Sequence, residues 1–463
     1  MSTPILWILI PLVVSGFGIF LTRYPRFLKW GAVGLGLSLA LSAILLPINE
    51  PFRLLFWDIQ LSDQLLVFGR RFILSNVDQP IVALMFGVFT FWSLIQNPKN
   101  VPSYFSPLSL GGITLILTAY AVDPIFYGAL FFAFLALIHV VLLTPPGNEP
   151  TPGVLRLLIY QILGMLFILF AAWLASWVGF NRGDAVMLSR SLTILALGFS
   201  FLLSIFPFIS WIPMVAEKSH PFLSGYLFNV YFLGVFLFGS RFLTEGGWFA
   251  QGVDLQTPLQ FAAVIMLVFG GLLAVSSRNL GRMSAALIIS EIGRSLLAIS
   301  LFRLGFPIYF AMVMIQMIAL GGWSSALTKL QIGLPDLDIH SATGAARQWP
   351  LLSSGLIVSY FSLAGLPLLA GFPIYLALGT GLNPYPIWIN TTLVLSSLGL
   401  IIGGLRAFSI LIEDSGEEVV LDIGDRLDKG MIIALNLILV LLGLFPRLIY
   451  QVAQAITDMM MGS

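Results

Sequence analysis

The chain of 463 residues has no cysteine. Disulfides, Cys-ligated zinc and thiolate-held iron–sulfur clusters are therefore excluded. Its three histidines, His139, His220 and His340, lie far apart without metal-ligand spacing, so no metal site is expected. There is no nucleotide fingerprint and no clear haem-ligand pair, and no cofactor is expected. Charge is scarce: Asp, Glu, Lys and Arg form 9% of the chain, where a soluble domain carries about 25%. The net charge of +1 gives no reason to propose nucleic acid as a partner. Apolar residues fill 58% of the chain. That leaves too little polar surface for a water-soluble fold, so the chain reads as a polytopic protein embedded in a lipid bilayer.

Apolar runs long enough for a ~30 Å hydrocarbon core fall at about 4–22, 29–47, 80–96, 106–122, 125–144, 154–179, 191–209, 221–240, 259–277, 283–303, 307–328, 349–378, 386–411 and 430–447. They predict an all-α fold of fourteen spans in one membrane domain, 1–463. The runs are too long for barrel strands and lack period-two alternation. The first run, Pro4 to Thr22, has neither a basic n-region nor a small-residue cleavage site and reads as a retained helix. Away from the segment ends the ionisable residues are His139, Glu291 and Arg294. Charge at bilayer depth is costly and marks ion or proton paths when it persists.

Loops after odd-numbered spans hold thirteen Lys and Arg, against eight on the other side. The excess predicts cytoplasmic odd loops and both termini outside; the membrane expected is a bacterial inner membrane. Within 48–79, apolar and aromatic runs around Asp58 and Gly69 predict a short outer hairpin. The 412–429 segment is acidic and reads as a solvated cytoplasmic linker, with partner docking as the alternative. Trp30, Trp57, Trp92, Trp173, Trp177 and Trp388 lie near helix ends or loops and read as interfacial anchors.

Spans seven and twelve each carry two prolines six residues apart, Pro207 with Pro213 and Pro367 with Pro373. Proline removes a backbone donor and clashes with the preceding turn, so both spans should open. The first prolines lie 160 residues and five spans apart. Interrupted spans at matching places in two halves are the sequence sign of an inverted-repeat transporter with its site near the breaks; a pair of simple kinks is the plainer alternative.

At these residues the chain resembles the antiporter-like membrane subunits of respiratory complex I, of multisubunit cation/proton antiporters and of membrane-bound hydrogenases. The resemblance rests on Phe206-Pro-Phe-Ile-Ser-Trp-Ile-Pro213 with Glu217 and Ser224, on Ser276-Ser-Arg-Asn-Leu-Gly-Arg282-Met-Ser-Ala285 with Ser290 and Gly293, on Ser362-Leu-Ala-Gly-Leu-Pro367 with Gly371-Phe372, and on Leu442-Gly-Leu-Phe-Pro446. It covers nearly the whole chain, and the length best suits the smallest of complex I's three such subunits. It implies repeats over spans 4–8 (101–240) and 9–13 (255–411), after 1–100 with spans 1–3 and the hairpin and before the acidic 412–429 loop and a C-terminal helix, 430–463.

The proton path of that family does not carry over. Its span-five glutamate falls at about Ala133, its span-seven lysine at Leu202, its span-eight lysine at Phe232 or Leu233, and its span-twelve lysine at Tyr375. As delimited above, spans seven, eleven and twelve contain no Asp, Glu, Lys, Arg or His, so no slip in alignment restores the two lysines of the broken spans. Glu291 and Arg294 share a helix face at spacing i,i+3. They read as a structural ion pair or as a displaced proton relay. Glu217, Lys218 and His220 follow the seventh break and read as a solvated loop, or as a point of proton access. His139 reads as a packing residue, or as a relay group.

The resemblance implies a membrane subunit partnered by other membrane subunits of a complex I-like NADH:quinone oxidoreductase assembly. The redox chemistry would lie in other chains, and this chain would be mainly structural. One alternative keeps proton translocation through Glu291, His139 and Glu217. Another is an independent transporter of a small uncharged or lipid-like solute, which genes for complex I-like subunits nearby would argue against.

Overall fold

A computed structural model of the protein describes residues 2–49, 51–54, 57–180, 185–244, 254–334, 336–413 and 426–461. At bilayer depth a backbone group has no water to bond, so apolar runs fold into helices that satisfy their own hydrogen bonds. In chain order these are α1 (Ile10–Phe20, after a π-helical turn Ile5–Leu9), α2 (Pro25–Leu45), α3 (Gln79–Ile95), α4 (Phe105–Ala121), α5 (Gly128–Leu143), α6 (Pro152–Phe180), α7 (Ala185–Leu202), α8 (Trp211–Lys218) and α9 (Pro221–Thr244). The second half adds α10 (Gln256–Ser276), α11 (Leu280–Ser300), α12 (Phe306–Gly333), the short α13 (Ala345–Gln348), α14 (Pro350–Ala364), α15 (Gly371–Gly381), α16 (Ile387–Ile412), α17 (Arg426–Leu444) and α18 (Arg447–Met461). Among the described residues, ten helices are long and apolar enough to cross a membrane. Four shorter apolar ones, Ile5–Phe20, Phe105–Ala121, Val186–Leu202 and Pro350–Ala364, stand where the other expected spans fall.

The protein's interior is built around α9 and α11, whose most apolar stretches are 94% and 100% buried, whereas those of α2 and α17 are 17% buried. α6 packs along α7, and α10 packs along both α11 and α16. Glycines allow these close approaches, since lipid gives helices no hydrophobic drive to associate and contact must come from packing. A Cβ on Gly293 of α11 would lie 2.9 Å from the Ala263 carbonyl of α10, and one on Gly399 of α16 would lie 2.9 Å from the Gly271 carbonyl.

The expected hairpin is present twice. β1 (Pro51–Leu54) pairs antiparallel with β2 (Trp57–Gln60), and β3 (Gln64–Val67) with β4 (Arg70–Ile73). The second turn holds Phe68 and Gly69 at φ of 49° and 73°, the left-handed conformation a two-residue hairpin turn demands. β4 also pairs with β5 (Val122–Asp123), where Arg71 bonds Asp123 at 2.7 Å.

Four differences from the sequence expectations have local causes. The C-terminal segment is two helices, because the chain turns at Phe445-Pro446. α18 is amphipathic: Ile449, Ala453 and Thr457 are buried at i, i+4 and i+8, and it packs against α12 and the start of α3. α7 and α12 run past their apolar stretches, so Arg190 and Lys329 sit inside helices and not in loops. Trp92 is no anchor: it is fully buried, its Nε1 donates to Asn229 Oδ1 at 3.0 Å, and Phe222 and Tyr226 meet it edge-on. Trp30, Trp173 and Trp388 are exposed, as anchors are. Most of the acidic 412–429 loop, residues 414–425, lies outside the described residues, as do the side chains of Trp57 and Trp177.

Candidate functional site

Both proline-bearing spans are broken. The seventh runs as α7, then a gap with Pro207 and a 3-10 turn at Phe208–Ser210, then α8. The twelfth runs as α14, a gap with Pro367, then α15. Pro213 and Pro373 do not open their helices. Each is the third residue of the helix after the gap, where a missing N–H costs little. Gly365 ends α14 at φ 84°, and a Cβ there would lie 2.9 Å from the Tyr375 ring. Only glycine meets both conditions without strain. Each gap strands carbonyls in the membrane interior, and a neighbouring helix must supply donors.

At the twelfth span the donor is Arg294 of α11. Its Nη1 donates to the Leu363 carbonyl at 2.6 Å and to Glu291 Oε1 at 2.5 Å, and its Nη2 donates to Ser397 Oγ of α16 at 3.0 Å. The cation thus sits at the C-terminal end of α14, where the helix dipole is negative. Tyr375 of α15 closes the site twice. Its hydroxyl donates to Glu291 Oε1 at 2.6 Å, and its ring lies 4.0 Å from the guanidinium, a cation–π arrangement. Arg294 is fully buried and Glu291 is 2% exposed. Glu291 Oε2 and Arg294 Nε have no partner among the described residues. Four helices, α11, α14, α15 and α16, are therefore tied through one ion pair. The residue standing where the resemblance places a lysine is part of that tie.

The seventh span has no charge at its break. Leu202, the last residue of α7, is fully buried and packs on Gly164 of α6, where a Cβ would lie 2.7 Å from it. The Leu202 carbonyl accepts from Tyr231 Oη of α9 at 2.8 Å, and Trp211 Nε1 donates to Ser204 Oγ at 2.6 Å. Phe232 and Leu233 are buried on α9, and Ala133 is half-buried on α5. His139 is 2% exposed, meets Tyr231 edge-on at 5.7 Å, and has Nδ1 3.4 Å from Gln161 Nε2 of α6. A neutral hydroxyl, that of Tyr231, thus meets a carbonyl at this break as Arg294 does at the other, with His139 and Gln161 packed behind it. Gln161 escaped notice in the sequence, though an amide in an apolar helix is itself a signal for a polar partner.

The remaining candidates are not brought to either break. Glu217 and Lys218 form the last turn of α8 and are exposed; Glu217 pairs with Arg282 Nε at 3.6 Å, at the start of α11. His220 donates from Nε2 to the Asn100 carbonyl at 2.9 Å, and burial lowers its pKa despite that bond. The sequence gives no sign of a partly buried cluster: Lys329 of α12 bonds Asp428 of α17 at 2.8 Å, and Asn97 Nδ2 donates to the same carboxylate at 2.6 Å. Among the described residues no group of three or more His, Cys, Asp or Glu could hold a metal ion.

No protein-family model matches the chain. It is 24% identical over 318 residues to NADH-quinone oxidoreductase subunit N of Ectopseudomonas mendocina, covering 63% of each chain. To the subunit N of Acidithiobacillus ferrooxidans it is 27% identical over 217 residues, 46% of this chain and 44% of that one. The matches thus span about half of those relatives' lengths. In fold it is similar to a chain of the archaeal membrane-bound sulfane sulfur reductase, with TM-score 0.80 at 17% identity over 100% of this chain and 98% of that one. It is also similar to a chain of the Dietzia Mrp complex, at TM-score 0.76 and 13% identity over 98% and 96%. A chain of Thermus thermophilus respiratory complex I gives TM-score 0.70 and 20% identity over 96% and 98%. The likeness to antiporter-like membrane subunits read from the sequence is borne out.

Proposed function

We propose that this chain is an antiporter-like membrane subunit of a complex I-type NADH:quinone oxidoreductase or a related proton-coupled complex. Its usual proton path is lost and its role is mainly structural. The observation that carries this is the closed site at the twelfth span. A lysine there could alternate between charged and neutral forms when desolvated. Tyr375 is instead bound to Glu291 and stacked on Arg294, and arginine keeps its proton in proteins. At the seventh break the corresponding residue is Leu202, which cannot titrate. Similarity to subunits of three multi-subunit complexes supports neighbouring membrane subunits as partners. The test is to tag the chain at its native locus, purify it in mild detergent and identify what co-purifies. Membrane and peripheral subunits of a complex I-type assembly in fixed ratio are expected. A chain that purifies alone from membranes containing such an assembly would overturn the proposal and favour an independent transporter.

One observation favours a second reading, in which protons still pass: Glu291 Oε2 is buried without a partner among the described residues and is open to a proton or a water. That reading also needs a route from Glu291 to His139, and no hydrogen bond joins them among the described residues.

A further inference from the structure

A cavity of 240 Å³ lies between the two halves of the chain, walled by α7 and α9 on one side and α10 and α11 on the other. Leu195, Phe199, Phe236, Leu259 and Leu296 line it, and it reaches the seventh-span break at Leu203. Its two serines are committed to their own helices: Ser200 Oγ donates to the Ala196 carbonyl and Ser240 Oγ to the Leu237 carbonyl, each at 2.8 Å. A retained water needs about two to four polar partners, and the walls are overwhelmingly apolar. An apolar space of ~150 Å³ already admits benzene, so this one has room for a length of hydrocarbon. Left empty, its lining would forfeit packing contacts on one side.

What fills it is indicated by where it opens and by the charge beside it. Two lining residues, Ala196 of α7 and Pro258 of α10, are exposed, so the opening lies between two membrane-spanning helices on a surface that meets lipid. Arg303 follows the lining residue Ile299 by four positions, just past the end of α11. It is exposed and makes no ion pair among the described residues. The start of α10 is held at the same end, where Gln256 Nε2 donates to the Ser300 carbonyl at 3.2 Å. An apolar slot with an exposed guanidinium near one end matches an amphiphile with an acyl chain and a phosphate, which arginine binds through paired donors.

We propose that this cavity is a binding site for one anionic phospholipid, an acyl chain filling the slot and the headgroup phosphate resting on Arg303. The bound chain joins the two halves and keeps water from the apolar break at Leu202 and Leu203. The test uses the complete protein in vesicles of phosphatidylcholine and phosphatidylglycerol, with a trace of phosphatidylglycerol carrying a photoreactive group in its acyl chain. After irradiation, adducts should concentrate on peptides within 192–205, 235–243 and 255–262, at least fivefold above the exposed face of α17 around Leu437 and Leu441. An Ala196→Leu, Ala262→Phe double variant, which fills the slot, should bring that label down to the α17 level. Arg303→Gln should lower it severalfold for the phosphatidylglycerol reagent and leave a phosphatidylcholine reagent unaffected. Lipid extracted from the unaltered protein after delipidating washes should contain about one phosphatidylglycerol per chain, which tests the site even if the filled variant does not fold. Uniform labelling of all lipid-facing helices, or labelling unchanged by both variants, would overturn the proposal. So would an unaltered protein that retains no phospholipid.

Discussion

Replacing Glu291 by Gln leaves Arg294 as a buried cation without its counter-charge, held by neutral partners alone: the new amide oxygen, the Leu363 carbonyl, Ser397 and the Tyr375 ring. Breaking a buried pair from one side costs about 3–5 kcal/mol. Arg294→Met acts differently. The stranded carboxyl can take up a proton and become neutral, but the Leu363 carbonyl loses its donor, at about 1–3 kcal/mol for an unmet buried group. In the double variant Glu291→Gln, Arg294→Met no charge is left to bury, and only the carbonyl cost remains. The double should therefore be more stable than Glu291→Gln alone, with a coupling of roughly 1 kcal/mol or more. Unfolding in mixed micelles by titration with SDS, followed by tryptophan fluorescence, measures all four proteins. If the double change costs the sum of the single ones, or all three variants fall within about 0.5 kcal/mol of the parent as surface changes do, the ion pair does not hold the break closed.

Two other predictions concern the Lys329 pair and the orientation of the chain. Lys329→Met strands Asp428, whose side chain is 17% exposed, so the cost should be about 2–3 kcal/mol, between the exposed and fully buried cases. α17 should then become accessible to protease from its N-terminal end before the rest of the chain. Because the chain has no cysteine, single cysteines at Ser2, Ser463 and Ser415 can report topology directly: in sealed right-side-out cells the first two should react with an impermeant thiol reagent and the third should not, and the reverse pattern would reject the orientation drawn from Lys and Arg.

What was legible in the sequence depended on separation along the chain. The breaks showed because proline and glycine act on their own backbone, and Glu291 with Arg294 showed because i,i+3 spacing is local. The partner that closes the site was hidden: Tyr375 lies 84 residues from Glu291, and no periodicity relates them. In the sequence Lys329 and Asp428 look like loop charges, because hydropathy falls at helix ends whether an end is solvated or buried. Trp92 misled for the same reason, since a tryptophan near a helix end resembles an anchor until Asn229, 137 residues away, is seen to accept its N–H. Hydropathy does not separate α18 from α17, because the signal of α18 is a buried stripe every four residues and not an apolar run.

The central claim is that no proton crosses through this chain by way of its few buried polar groups. The direct measurement is the number of protons moved per electron pair by the purified, reconstituted complex, with the parent chain and with a Glu291→Gln, His139→Phe double variant in assemblies shown to be intact. The account predicts the same stoichiometry for both. A reproducible loss of protons in the intact variant complex would contradict it, and would assign conduction to Glu291 and His139.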